Sequence, residues 1–192
     1  MPRLLISIPA TRRVPLALLT VVALYFTSIP LDTASTKTMK GQKEADDRDV
    51  VALLAFKSII QHDPYGIMNS WNDSHDLCRW EGIQCGRKHK RVTSINLKDK
   101  GLVGFLSPFL GNLSFLRALN LTNNTFQGEI PAQFGQLFRL QILSLSWNSI
   151  EGEIPANLSR CSSLVQLSLS YNKLVGRLPP AFGFLRNLET LA

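Results

Sequence analysis

The residues in this 192-residue chain that could carry chemistry are few, and most of them lie between positions 62 and 89. His75, Cys78, Cys85 and His89 occur in the order H-x-x-C…C-x-x-x-H, which supplies the ligand types of a zinc site. The same two cysteines could instead close a short loop as a disulfide, which we favour if the chain is exported to an oxidising compartment. Cys161 stands apart, and we expect it to be a buried thiol.

Catalysis finds no support in the remaining residues. The histidines His62, His75 and His89 lie outside any evident triad, and the sequence contains no phosphate-binding glycine loop, kinase catalytic loop or paired acid motif. The net charge of +7 is spread along the chain without a long basic stripe, which disfavours nucleic acid as a partner. We therefore expect a binding module that is not an enzyme and has no cofactor.

The first 35 residues have the pattern of a secretory signal peptide. Arg3, Arg12 and Arg13 precede an apolar run at 14–26, and small residues at 33–35 offer a cleavage site. The alternative is an uncleaved signal anchor. A polar linker is expected at 36–47, and no second apolar run is long enough to span a membrane. Export by the secretory pathway is the predicted localisation.

One helix is predicted after this linker. Apolar residues from Val50 to Ile60 recur in steps of three and four, which is typical of a helix with one buried face. Asp46 or Asp47 can cap its start, and Asp63-Pro64 is expected to end it. Downstream, residues 87–91 include four basic side chains, which we interpret as a solvated loop that ends the segment 48–91.

From residue 92 onward the sequence repeats every 24 residues. Each unit opens as L-x-x-L-x-L-x-x-N and continues to a glycine and an Ile-Pro or Leu-Pro pair. Because alternate leucines of a strand point to one face, neighbouring units must stack to bury them. The pattern predicts an α/β repeat fold, a right-handed leucine-rich-repeat solenoid with a parallel β-sheet on its concave face. Residues 92–192 hold four units and part of a fifth.

Two groups of motifs resemble a known family. The segments FQGEIP, IEGEIP and LVGRLP look like the plant subtype of these repeats, and Ala52 to Cys85 resembles the helical N-terminal cap of plant leucine-rich-repeat receptor-like Ser/Thr kinases. The resemblance implies an extracellular module in signalling or defence that recognises a peptide, protein or glycan, with a co-receptor as a further partner. In that family a membrane helix and a kinase follow. We interpret this chain, which ends in its fifth unit, as truncated before both, so that only that missing part or an uncleaved anchor would attach it to a membrane.

A second interpretation uses the same cap and repeat types. Secreted inhibitors of microbial wall-degrading enzymes, similar to plant polygalacturonase-inhibiting proteins, also combine them. Those inhibitors need a complete coil with a closing C-terminal cap, which is the feature that separates the two hypotheses.

Outward positions along the strands form the predicted binding face. Trp147 and Tyr171 occupy equivalent positions in adjacent units, so their rings should lie about one strand spacing, 4.8 Å, apart. They are either interface anchors or shields for the asparagines of the repeat. The predicted binding residues are Asn96, Lys98, Arg117, Asn120, Thr122, Gln141, Ser144, Ser146, Trp147, Gln166, Ser168, Ser170 and Tyr171. Acceptors for N-linked glycans are predicted at Asn72, Asn112, Asn120, Asn123 and Asn157, two of them on the strand side.

Overall fold

The computed structural model describes residues 48–72 and 76–192. The predicted signal peptide at 1–35 and the linker at 36–47 lie outside the described residues. So do His75 and the two candidate capping residues, Asp46 and Asp47.

A single α-helix, α1, occupies residues 48–57 of the described chain. Its side chains at Asp49, Ala52, Leu53 and Phe56 are buried, and they recur at the spacing of one helical face. The predicted amphipathic helix is therefore present, and its buried stripe includes one carboxylate.

The prediction that this helix continues to Asp63-Pro64 is wrong. The helix ends at 57, and a turn leads into strand β1, Ile60–His62. β1 pairs with a later strand in antiparallel orientation, which gives the backbone of Ile60 hydrogen-bond partners outside the helix. Adjacent β-branched residues at Ile59 and Ile60 also favour the extended conformation.

The repeat units form a six-stranded concave sheet. Its strands are β2 (Ile83–Cys85), β3 (Val92–Asn96), β5 (Ala118–Asn120), β7 (Ile142–Ser144), β9 (Gln166–Ser168) and β11 (Thr190–Leu191). The order is β11-β9-β7-β5-β3-β2, parallel throughout except for β2. Leu119 pairs in register with Ile95 and Leu143, each 24 residues away. The predicted solenoid with a parallel sheet is confirmed.

A second sheet of five strands, which the sequence did not predict, runs along the other side of the units. β1 pairs with β4 (Val103–Phe105), and β6 (Thr125–Gly128), β8 (Ser149–Glu153) and β10 (Lys173–Val175) follow in parallel. The helical cap therefore contributes the first strand of this sheet.

Short 3₁₀ helices close each unit. They begin after a serine or proline, where the fixed proline φ suits the start of a helical turn. In the repeats they span Pro108–Asn112, Ala132–Gln136, Ala156–Arg160 and Pro180–Phe184. Two more, Ile67–Ser70 and Leu77–Arg79, lie in the cap.

The core is continuous from the cap into the repeats. Trp71 stacks on Trp80 with ring centroids 5.6 Å apart, and Phe56 of α1 lies 5.8 Å from Phe126 of the second unit. Columns of repeat leucines extend this core along the solenoid. The prediction that both tryptophans pack in the cap is confirmed, because both are buried.

The repeat asparagines satisfy the backbone where each strand ends. The Nδ2 of Asn124 donates to Leu97 O and Leu121 O, and its Oδ1 accepts from the N–H of Leu102 at 2.9 Å. Asn148 and Asn172 repeat this pattern, so an asparagine ladder stabilises the turn of successive units, as predicted.

Candidate functional site

Cys78 and Cys85 form a disulfide. It connects the 3₁₀ helix Leu77–Arg79 to β2, the antiparallel strand at the cap end of the concave sheet. The zinc alternative is wrong, because both sulfurs are used in the disulfide. Within residues 48–72 and 76–192, no three His, Cys, Asp or Glu side chains are grouped to hold a metal.

Cys161 is a free, buried thiol, as the sequence predicted. Desolvation by burial raises its pKa to about 11, and a backbone hydrogen bond from Leu137 opposes the increase. Its Sγ donates to the carbonyl oxygen of Phe134 at 3.2 Å. A thiol in this environment packs as a small apolar side chain and is a poor nucleophile.

The predicted binding residues differ in how much surface they offer. Asn96, Lys98, Arg117 and Gln141 are exposed. Half-buried positions are Asn120, Thr122, Gln166, Ser168 and Ser170. Ser144 and Ser146 are buried and expose at most 9% of their surface, so they offer a ligand the least contact, and the binding residues stay predictions. A serine side chain is too short to rise above longer neighbours.

Trp147 and Tyr171 form a stacked pair on this face. Their ring centroids are 3.7 Å apart at an interplanar angle of 15°, closer than the strand spacing that the sequence suggested. The rings come together to van der Waals contact although their backbones are one strand apart. The side chains remain 53% and 66% exposed, so the pair presents a large aromatic surface to solvent.

The sequence interpretation placed the aromatic pair within strands, but the structure places both residues just after the strands end. Trp147 and Tyr171 follow β7 and β9 and have left-handed backbones, with φ of 58° and 56°. The equivalent residues of the two preceding units, Asp99 and Asn123, have the same conformation. Asp and Asn tolerate this region, whereas bulky aromatic residues rarely occupy it.

Interstrand hydrogen bonds hold this conformation in place. The N–H of Trp147 donates to the carbonyl of Ser170 at 3.0 Å, as the N–H of Asn123 donates to that of Ser146. A non-glycine residue in a sparsely populated backbone region costs on the order of 1–3 kcal/mol and is common at functional sites. Two such aromatic residues side by side therefore mark this edge of the concave sheet as a candidate contact site.

The opposite edge of the same sheet holds a feature that sequence reasoning missed. The guanidinium carbons of Arg91 and Arg139 lie 4.9 Å and 4.2 Å from the centroid of the Phe115 ring. These three residues are spaced by 24, so they occupy one position in successive coils. The same 24-residue spacing is visible in the sequence, where it places Phe115 between two arginines.

The predicted glycosylation acceptors lie in several environments. Asn112 and Asn157 are exposed within 3₁₀ helices, where a glycan would extend into solvent. The amide of Asn123 donates to Asp99 Oδ1 at 2.8 Å, and Asn120 Oδ1 accepts from the N–H of Thr122. Asn72 donates its amide to Asn69 O, next to the undescribed residues 73–75. All five acceptors stay predictions.

Membrane-spanning helices are a separate question. In the part of the chain that the structure describes, no helix is both long enough and apolar enough to cross a bilayer.

Comparison with known families identifies the fold class. The sequence model of the leucine rich repeat N-terminal domain matches residues 46–86, and that of the leucine rich repeat matches 115–137, 139–161 and 163–185. These matches together cover more than half of the chain, which belongs to the leucine-rich-repeat proteins with this N-terminal domain.

Plant receptor kinases are among the proteins that this chain is similar to. A putative receptor-like protein kinase of Arabidopsis thaliana is 44% identical over 108 residues, which are 56% of this chain and 10% of that protein. This chain therefore resembles the N-terminal part of plant leucine-rich-repeat receptor-like kinases and spans about a tenth of the length of this relative.

Two solved structures from Arabidopsis thaliana share the architecture. A chain of the BIR3–SERK2 complex superimposes with a TM-score of 0.69 at 33% identity, covering 75% of this chain and 79% of that one. The ectodomain of GASSHO1/SCHENGEN3, in complex with CASPARIAN STRIP INTEGRITY FACTOR 2, gives 0.72 at 31% identity, covering 75% of this chain and 18% of that one.

Proposed function

We propose that this chain is an extracellular ligand-recognition segment of a receptor-like kinase and takes part in signalling or defence. The observation that carries the proposal is the exposed Trp147–Tyr171 pair, held in a strained backbone at the edge of the concave sheet. Large aromatic side chains that are already ordered lose little entropy on contact and are common anchors of protein interfaces. Peptides and proteins are the proposed ligands.

The comparisons support this proposal. One similar structure is an ectodomain in complex with an integrity factor, and the other is a complex of two named partners. The matched relative is named as a kinase, so in a full-length protein the recognition segment would be linked to phosphorylation; that activity is also a proposal. Receptor function is favoured over the inhibitor alternative because the matched relative is named a receptor-like protein kinase and one similar structure is the ectodomain of a membrane receptor kinase.

The size of the concave sheet limits the expected affinity. Five repeat strands at about 4.8 Å, each covering about 17 Å, give a strip on the order of 300 Å². A standard interface buries about 800 Å² per partner. We therefore expect this chain alone to bind a ligand with micromolar or weaker affinity.

A peptide-library screen tests the proposal. The full chain is presented to linear synthetic peptides, and each binder is measured again with Trp147→Ala and with Phe184→Ala. Phe184 is 81% exposed in the 3₁₀ helix Pro180–Phe184 and is a matched aromatic control away from the concave sheet. We expect binders to lose affinity by fivefold or more with Trp147→Ala and to be unaffected by Phe184→Ala. Binders that are insensitive to Trp147, or the absence of any binder, would refute it.

A further inference from the structure

Four exposed basic side chains line the same hollow as Phe115, at the edge of the concave sheet where its strands begin. Arg87 and Lys88 come from the loop before β3, while Arg117 and Arg139 come from the two following coils, and we call these four residues the basic cluster. They line one hollow together with Gly86, His89, Arg91, Thr93 and Phe115. Every member of the basic cluster is exposed.

The 24-residue repeat explains how Arg139 of this cluster is positioned. Arg91, Phe115 and Arg139 follow one another on adjacent coils, and the arginines lie within cation–π distance of the ring. The ring restricts the guanidinium of Arg139 without consuming its hydrogen-bond donors. A positioned guanidinium binds a carboxylate through two parallel hydrogen bonds, and less entropy is lost because the side chain is already ordered.

Among the described residues, no carboxylate forms a salt bridge with the basic cluster. Asp49 is fully buried and pairs with Arg91 through two hydrogen bonds of 2.9 Å and 2.6 Å. The other salt bridges of the described residues are Lys98–Asp99 and Lys100–Glu81, and neither involves the basic cluster. In the described chain, this edge of the sheet therefore carries exposed positive charge without a bound carboxylate.

The two edges of the concave sheet differ in chemistry. The strands begin beside the basic cluster and end beside the Trp147–Tyr171 pair, where Lys98 is already paired with Asp99 at 3.6 Å. Between the edges the face is neutral and polar, with amide and hydroxyl side chains such as Asn120 and Gln166. From Gln141 to Trp147 is six residues, or about 20 Å of extended chain.

We propose that the basic cluster binds the acidic end of an extended peptide whose apolar end lies over the Trp147–Tyr171 pair. This inference rests on the proposed function and specifies the ligand. The peptide has an acidic anchor and, about six residues away, an anchor that is aromatic or apolar. A peptide is favoured over a uronic-acid polymer because such a polymer carries charge along its whole length. On the described part of the concave face, the positive charge without a salt-bridge partner lies at one edge, and the neutral face between the edges complements a peptide backbone.

Two peptides that differ only in their negative charge test this proposal. The first is the blocked octapeptide Glu-Glu-Ser-Gly-Ser-Gly-Ser-Trp, and the second has Gln in place of both Glu. Affinities for the full chain are measured by calorimetry at low and at physiological salt. We expect the Glu peptide to bind about tenfold more tightly at low salt, and this advantage to shrink as salt screens it.

Two double variants locate the effect. Arg117→Gln with Arg139→Gln should remove the tenfold preference for the Glu peptide. Lys173→Gln with Arg177→Gln removes the same charge from exposed positions in and just after β10 and should leave the preference intact. Unchanged thermal melting of both double variants would show that each remains folded.

Each remaining outcome has a defined meaning. Equal binding of the two peptides, or a preference that survives loss of Arg117 and Arg139, overturns this inference. If this inference is overturned but Trp147→Ala still weakens the binding of both peptides equally, the proposed function stands without the basic cluster. A hexagalacturonate that binds through the basic cluster more tightly than the Glu peptide also overturns it, in favour of a uronate ligand.

Discussion

The Asp49–Arg91 ion pair should be the most sensitive polar contact at the junction of the cap with the repeats. Asp49 lies on the buried face of α1, and its Oδ2 also accepts the N–H of Val92 at 3.0 Å, where β3 begins. One carboxylate therefore holds Arg91, the last residue of the cap, and Val92, the first residue of the repeats, to the helix by three hydrogen bonds. Asp49→Asn removes the charge and keeps the shape.

The expected cost follows from burial. Breaking a buried ion pair by removing one partner costs about 3–5 kcal/mol, because the other charge stays buried. Arg91 retains contact with the Phe115 ring, and its guanidinium reaches Ser114 Oγ at 3.5 Å. We therefore expect the low end of this range, about 3 kcal/mol of unfolding free energy.

Urea unfolding with the disulfide kept intact measures this loss. At a slope of about 2–3 kcal/mol/M, the midpoint for Asp49→Asn should fall by about 1–1.5 M. Glu81→Gln is the matched control, because the Lys100–Glu81 pair is similarly short at 3.0 Å but half exposed and should be worth at most about 1 kcal/mol. Equal losses in the two variants would refute the reasoning. A reduced slope for Asp49→Asn would show that the cap unfolds separately from the repeats.

Two further predictions concern packing between coils. A Cβ added to Gly135 would collide with the backbone carbonyl of Asn157 in the next coil, whereas one added to Gly183 meets nothing within 4 Å. Gly135→Ala should therefore cost about 1–3 kcal/mol in urea unfolding and Gly183→Ala almost nothing, and equal effects would contradict the close approach. Because the pKa of Cys161 is raised from 9.0 to about 11 in the folded chain, its contribution to stability is present below pH 9 and is lost as pH rises towards 11. Cys161→Ser should lose this pH-dependent part, and rapid alkylation of the native thiol at pH 8 would contradict its burial.

The parts of the fold that repeat could be predicted from sequence. A buried column needs an apolar residue at the same position in every unit, so the repeated leucines predict the 24-residue spacing and the concave sheet. The repeated asparagines predict the asparagine ladder. The second sheet was missed because strands such as Val103–Phe105 are three residues long and contain a glycine in the middle. Their extended conformation comes from pairing with neighbouring coils, and so does that of Ile60–His62 in the cap.

The candidate site was predicted only in part. The 24-residue spacing placed Trp147 beside Tyr171, but their assignment to strands concealed the left-handed backbone. Asp99 and Asn123 at the equivalent positions were an available signal, because both residue types tolerate that conformation. The burial of Ser144 could not be predicted, since it depends on the lengths of side chains from neighbouring strands.

A single rule connects both edges of the concave sheet. Residues 24 apart lie side by side, so the residues at one non-core position of successive units form a row across the sheet. The coil gives the residues of each row the same backbone conformation. One row holds Asp99, Asn123, Trp147 and Tyr171 in the same left-handed conformation, although the first two side chains are polar and the last two are aromatic. The row from Arg91 to Arg139 alternates cation and ring. Because the core leucines and the asparagine ladder lie in other rows, the chemistry of either edge can change without changing the scaffold, which is how one fold can present different ligand specificities.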